Sequence, residues 1–181
     1  MTGDPRAPRV ALRERIEMAD PERPESRQPY HAAEGLALHH AERLLAGFAD
    51  TARRMAREAL GRVGRDLRRA GCSPCAAGIL QASGRLPPAL DAILASHAFI
   101  HTADGEHFRR ALAHASERSG CPVTRVPARE ALGRAAAVLG TSPAELEARV
   151  LALGRPLGPP WAADQKRAAL AAWLLLARAV P

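Results

Sequence analysis

The stretch CSPCAAGILQASGR, residues 72–85, decides the fold. Its middle, residues 75–81, is short and apolar and lies between Pro74 and Gly84. A run of that length between two chain breakers reads as a buried strand. A second such run, residues 122–126, sits inside CPVTRVP. The segment joining them reads as helical: LPPALDAILASH starts a short helix near Pro87 and Pro88, and another helix begins near Thr102 and runs to Ser119, stopped by Gly120. Strand, helices, strand predicts a parallel pair joined by a crossover and covered by helices. The expected fold class is α/β, with a small mixed sheet and a high helix content.

On the N-terminal side of that stretch, Leu44, Phe48, Ala52, Met55, Ala59, Val63 and Leu67 step by three or four. This is the period of a long amphipathic helix over residues 40–70, ended by Gly71. Arg43, Arg54 and Arg65 return to nearly one bearing and form a ridge on its opposite surface. The acids at Asp50 and Glu58 stand four residues before Arg54 and Arg62, the spacing of a solvated, ion-paired face. Further upstream, residues 10–18 alternate apolar and charged, which fits a half-buried strand, although Leu12 and Ile16 also fit a helix, and residues 30–38 suit a second short strand.

On the C-terminal side, Pro127 opens a helix that reaches Leu139. Thr141 or Ser142 then caps another, with Pro143 at its start and Glu145 in its first turn. GRPLGPP is a rigid linker. The last helix covers residues 161–180, with Leu170, Trp173, Leu174 and Ala177 on its buried face. The resulting division is an N-terminal arm or edge strand with a loop over residues 1–29, then a single α/β domain with C-terminal helices over 30–181. No internal repeat is visible.

The totals bound the class. The chain has 181 residues, 47% of them hydrophobic but only 3% aromatic, so Ala, Leu and Val must build the core. Its net charge is +7, and Arg supplies all of the Lys and Arg total except Lys166. Much of the excess falls in residues 42–69. A basic surface suits RNA, a nucleotide or another polyanion, and it also simply aids solubility. The N-terminus lacks the apolar core of a signal peptide, no run is apolar enough to span a membrane, and three cysteines do not make a disulfide framework. The expectation is a cytoplasmic protein with reduced thiols.

Four constellations bear on chemistry. Cys72 and Cys75 have Cys-x-x-Cys spacing, but the pair follows a helix and enters a strand, the reverse of a redox motif. With His97 and His101 they offer Cys-x₂-Cys and His-x₃-His pairs for one tetrahedral zinc, or else they are small buried hydrophobes. The stretch SHAFIHTADGEHF, residues 96–108, concentrates His97, His101, Asp104, Glu106 and His107. If Thr102 is an N-cap, Asp104 and Glu106 occupy the first helical turn and offset the dipole. Otherwise His101, Asp104, Glu106 and His107 are candidates for acid–base work or for holding a divalent metal. Finally, ligands of open α/β sheets favour the carboxyl ends of strands. There Ser83, Arg85, Arg125 and Arg129, with His101 and Thr102, are candidates to converge on a phosphate or carboxylate beside helix N-termini. Trp161 with Asp164, Gln165 and Lys166 reads as a lock for the last helix. Hydrolase, phosphate-loop and dinucleotide signatures are absent from the sequence.

The run SGRLPPALDAILASHAFIHTADGEHFRRALAHASERSGCPVTRVP resembles a family of uncharacterised bacterial proteins, over roughly residues 72–170. That resemblance implies no activity. The order of elements also resembles ribonuclease H-like folds, whose enzymes hold two metals with acids on the early strands. Here the early strand offers only Glu14 and Glu17, and residues 75–81 offer none. The leading expectation is therefore an anion-binding α/β protein, with RNA or a nucleotide phosphate as ligand. The alternatives are a metal-dependent hydrolase built on the cluster at residues 97–107, and a structural or protein-interaction module with the arginine ridge as its contact face.

Overall fold

The computed structural model describes residues 1–82 and 84–179. In chain order the elements are α1 (Pro29–Ala32), α2 (Leu38–Arg69), β1 (Ala77–Gln81), α3 (Leu90–Leu94), α4 (His97–Arg118), β2 (Val123–Pro127), α5 (Ala131–Leu139), α6 (Pro143–Gly154) and α7 (Ala163–Ala179). The class is α/β and helix-rich, with a two-stranded parallel sheet. Among the described residues no helix is long and apolar enough to cross a membrane. The chain divides into two compact units. One, the sheet unit, holds Met1–Glu14, Val63–Gln81 and the residues from Gly120 on. The other, the histidine unit, holds Arg15–Arg62 and Ala82–Ser119.

In the sheet unit, β1 and β2 run parallel in the register Ala77 to Val123 through Gln81 to Pro127. Two parallel strands need a long connection, and here it passes through the histidine unit. Neither AGILQ nor VTRVP contains an acid. Gly78 lets β1 lie close to α7: a side chain there would meet Leu175 at 3.0 Å. Val126, Ala135, Leu146, Val150, Leu170, Trp173 and Leu174 form the core. The large indole of Trp173 is fully buried in this core, and its Nε1 donates to the carbonyl of Pro5 at 2.8 Å. Arg13 ties the N-terminal segment to the linker, donating to the carbonyls of Gly158 and Pro160 at 2.9 and 2.7 Å.

The helix ends follow their sequence signals. Ser142 caps α6 by accepting from the Glu145 amide at 3.2 Å, with Pro143 in the first turn; such a cap contributes about 1 kcal/mol. Gly140 closes α5 in the left-handed conformation. Gly71, at φ +73°, ends α2, and the Cys72 and Gly71 amides turn back to Leu67 and Arg68. That pair of reversed bonds satisfies carbonyls the last turn would otherwise leave open. Val180, expected to end the last helix, lies outside the described residues.

In the histidine unit, α2 meets α4 along a seam of Ala52, Ala56, Ala111 and Ala115, all buried. Leu60 of α2 and Phe108 and Leu112 of α4, with Met18, pack around these alanines and close the apolar cluster. The short α1 and α3 both pack on α4.

Several local expectations are corrected. Residues 10–18 adopt no regular secondary structure, and Glu17 instead accepts from the Met18 and Ala19 amides at 3.2 Å each. Glu14 and Glu17 therefore stand on no strand. Residues 30–38 are not a strand either: Pro29 starts the helical turn α1, its fixed φ suiting the first helical position. The expected ion pairs of α2 are exchanged. Arg53 takes Asp50 at 3.1 Å, and Arg54 takes Glu58 at 3.4 Å. The helix expected to begin near Thr102 begins at His97.

Candidate metal centre

That earlier start of α4 remakes the stretch SHAFIHTADGEHF. Ser96 is the extended residue before the helix, so His97 is its first residue and Thr102 lies inside it. Thr102 is no N-cap: its hydroxyl donates back to the Ala98 carbonyl at 3.0 Å, the usual recourse of a threonine in a helix interior. Asp104 and Glu106 are equally far from the first turn, so offsetting the dipole does not explain them. At ~100° per residue, positions 97, 101 and 104 share one face.

Asp104 is buried, at 8% exposure, and a buried carboxylate requires partners. It has two, both on α1. Oδ1 accepts from the Tyr30 amide at 2.6 Å, and Oδ2 meets His31 Nδ1 at 2.5 Å. The Tyr30 amide is one of the donors that a helix start leaves unpaired, so the carboxylate satisfies it as it fixes the imidazole. With Oδ2 as the acceptor, Nδ1 of His31 is the donor of this bond, and Nε2 is the nitrogen that the carboxylate leaves for another partner.

His31 joins His97 and His101. The His31 ring centroid is 4.5 Å from that of His101 and 5.4 Å from that of His97. The Nε2 atoms of His97 and His101 are 3.1 Å apart. One ligand atom from each of the three histidines falls within 4.8 Å of the others. A tetrahedral zinc with Zn–N bonds of about 2.0–2.1 Å sets its nitrogens about 3.3 Å apart. The His97–His101 pair, at 3.1 Å, is close to that spacing, and a His31 ligand atom lies within 4.8 Å of both. Both α4 histidines are exposed and His31 is half-buried, so a cation would have open access.

The other candidates are distributed as follows. Glu106 pairs with Arg110 at 3.5 Å and stands outside the three-histidine group. His107 is buried and turns toward Tyr30, with ring centroids 6.4 Å apart. Burial in an apolar setting lowers its pKa, a backbone hydrogen bond with Phe48 and the Asp104 charge oppose this, and Arg53 and Arg110 lower it further. Cys72 and Cys75 are free thiols of the sheet unit, in the connection between α2 and β1. They are not part of the converging group: the side chain that joins His97 and His101 is His31. Of the strand-end set, Arg85 is exposed and belongs to the histidine unit, while Arg125 and Arg129 belong to the sheet unit. Ser83 lies outside the described residues.

Sequence reasoning missed His31. The only local signal was Pro29 as a helix opener, and nothing in the spacing links His31 to α4, because Asp104 is 73 positions away.

Comparison with protein families, curated proteins and solved structures returns no match. The class is therefore defined by geometry alone: a helix-rich α/β protein whose α1–α4 contact gathers three imidazoles, one of them braced by a buried carboxylate.

Proposed function

We propose that the chain binds a divalent transition metal, zinc by preference, through His31, His97 and His101, and acts as a metal-dependent hydrolase. The observation that carries this reading is the bond between Asp104 and His31 Nδ1. A carboxylate on the far nitrogen of a ligating imidazole fixes its tautomer and orientation and raises its basicity. Three protein ligands leave a coordination position open, which distinguishes catalytic from structural zinc sites. A metal held there would lower the pKa of a bound water and polarise a carbonyl or phosphoryl oxygen. In this division of labour His97 and His101 hold the cation from one helix face and His31 orients it from a second element. Asp104 is a positioning residue.

The test is metal content of tag-free protein by plasma mass spectrometry, followed by titration of the stripped chain with zinc, manganese and iron(II). The reading expects one metal per chain, lost in His97→Ala and His101→Ala. Chain that takes up no ion, or takes it up equally after both substitutions, would refute it.

A second reading has its own observation. Arg53, Arg54, Arg57, Arg110 and His114 line a groove of about 650 Å³ on α2 and α4, with Asp50 the one acid. Such a groove suits an anionic ligand such as RNA or a nucleotide, held by phosphate contacts that weaken steeply with salt. Its residues differ from the strand-end arginines that the sequence suggested.

A further inference from the structure

Spacing in the sequence pairs Cys72 with Cys75, but the register of the sheet pairs Cys75 with a different thiol. In the parallel ladder Ala77 stands opposite Val123, and the Ala77 amide donates to the Pro122 carbonyl at 2.9 Å. Continued two residues back along both segments, that register sets Cys75 opposite Cys121. Residues paired in register point their side chains to one face. Neighbouring strands lie about 4.7–4.9 Å apart, inside the about 4.4–6.8 Å between the Cα atoms of a disulfide. Cys121 already reaches across: its Sγ is 3.7 Å from the Pro74 carbonyl oxygen, part of the peptide group that leads into Cys75. The ladder stops here for a chemical reason. Its next bond would need an amide at residue 122 for the Cys75 carbonyl, and Pro122 has no N–H. Cys72 is engaged elsewhere, with its Sγ 3.8 Å from both the Thr2 hydroxyl and the Ala70 carbonyl.

We propose that Cys75 and Cys121 form a reversible disulfide on exposure to a hydroperoxide, and that this bond clasps the end of the sheet that Pro122 leaves open. All three thiols are free in the structure, with Cys75 exposed and Cys121 half-buried, so Cys75 is the one a small oxidant meets first. Its sulfur attacks one peroxide oxygen, the O–O bond breaks, and the departing oxygen takes the thiol proton and leaves as water. Cys121 then attacks the sulfur of the Cys75 sulfenic acid. The S–O bond breaks, the S–S bond forms, and a second water leaves. The two thiols lose two electrons and the peroxide gains them. A small dithiol reverses the bond by exchange. The closed loop runs through α3 and α4, and a cross-link over so long a segment restricts the unfolded chain. The site is separate from the three-histidine group and does not depend on a metal there.

The experiment treats the metal-stripped full chain with equimolar hydrogen peroxide, caps the remaining thiols with N-ethylmaleimide and maps tryptic peptides by mass spectrometry without reduction. Cys72 and Cys75 share the peptide 70–85, and Cys121 lies on 119–125. The expected product joins these two peptides and carries the cap on Cys72 alone, and dithiothreitol before capping should return all three thiols. Cys72→Ser should keep the link, while Cys75→Ser and Cys121→Ser abolish it. In guanidinium the preference should pass to Cys72 and Cys75, whose loop is the shortest to close. The oxidised chain should melt several degrees above the reduced one, with no such rise in Cys121→Ser. A bond between Cys72 and Cys75 in the native chain, a link between two chains, or three thiols still free after peroxide would each overturn the assignment. So would a Cys75–Cys121 link that forms as readily in guanidinium, because the register would then not select the partner. A native link that leaves Tm unchanged would overturn the clasp.

Discussion

Asp104 and His31 are joined through Oδ2 and Nδ1 at 2.5 Å, and the same carboxylate holds the Tyr30 amide at 2.6 Å. One side chain of α4 thus sets both the position of α1 and the orientation of its histidine.

Replacing Asp104 by Asn keeps an acceptor for the Tyr30 amide but removes the charge behind His31. Zinc affinity should fall about 10–100-fold, the usual cost of losing a partner behind a ligating imidazole. Competition against a chromophoric chelator reads this directly. An affinity unchanged within threefold would mean that the carboxylate serves only to dock α1.

His97 and His101 are exposed, so their removal should cost the metal-free chain little, within about 0.5 kcal/mol. The metal-loaded chain should behave differently. A ligand that binds only the folded state raises stability with its free concentration, so zinc should raise the Tm of the native sequence and leave His101→Ala unmoved. Cobalt(II) in the same site should give the intense visible bands of tetrahedral coordination in the native chain alone.

His107 contributes a pH dependence with a definite sign. Its pKa is lowered in the folded state from the ordinary 6.5, chiefly by burial, with Arg53 and Arg110 adding to burial and Phe48 and Asp104 opposing it. The unfolded chain therefore takes up a proton first as pH falls. The associated stability is present above about pH 6.5, and it is lost as pH drops from there through the folded value. Denaturant unfolding of metal-free protein at pH 7.5 and 5.5 should show a larger loss in the native sequence than in His107→Phe. An identical loss in both would remove His107 as a contributor.

Gly154 ends α6 against the indole of Trp161. A methyl group at Gly154 would overlap the Cγ and Cδ1 atoms of that ring, and the ring is anchored by Nε1 donating to the Val150 carbonyl at 3.0 Å. Gly154→Ala should cost about 1–3 kcal/mol, the range for overpacking a fitted contact, and lower Tm by several degrees. It should also shift Trp fluorescence toward longer wavelengths as the indole is expelled. A variant as stable as the native chain would show that the ring moves aside freely.

The sequence by itself determined the elements whose signal is local. The three- and four-residue steps of Leu44 to Leu67 and the closing Gly71 mark α2. Pro74 and Gly84 frame β1, and Ser142 with Pro143 and Glu145 starts α6. In each case one residue's backbone preference or one hydrogen bond within a turn settles the matter. The start of α4 was not legible, because Thr102 with two acids behind it is as good a cap signal as Ser96. Burying Ile100, Ala103 and Asp104 on one continuous face decides in favour of Ser96. Residues 30–38 likewise carry no period that separates one helical turn from a short strand. The candidate site was half visible: His97, His101 and Asp104 stand out at helical spacing, but their roles do not. Only the tertiary structure supplies His31, and with it the reason for a buried Asp104. A ligand set is a relation between elements distant in the chain, and the contact of α1 with α4 that creates it leaves no trace in either segment alone.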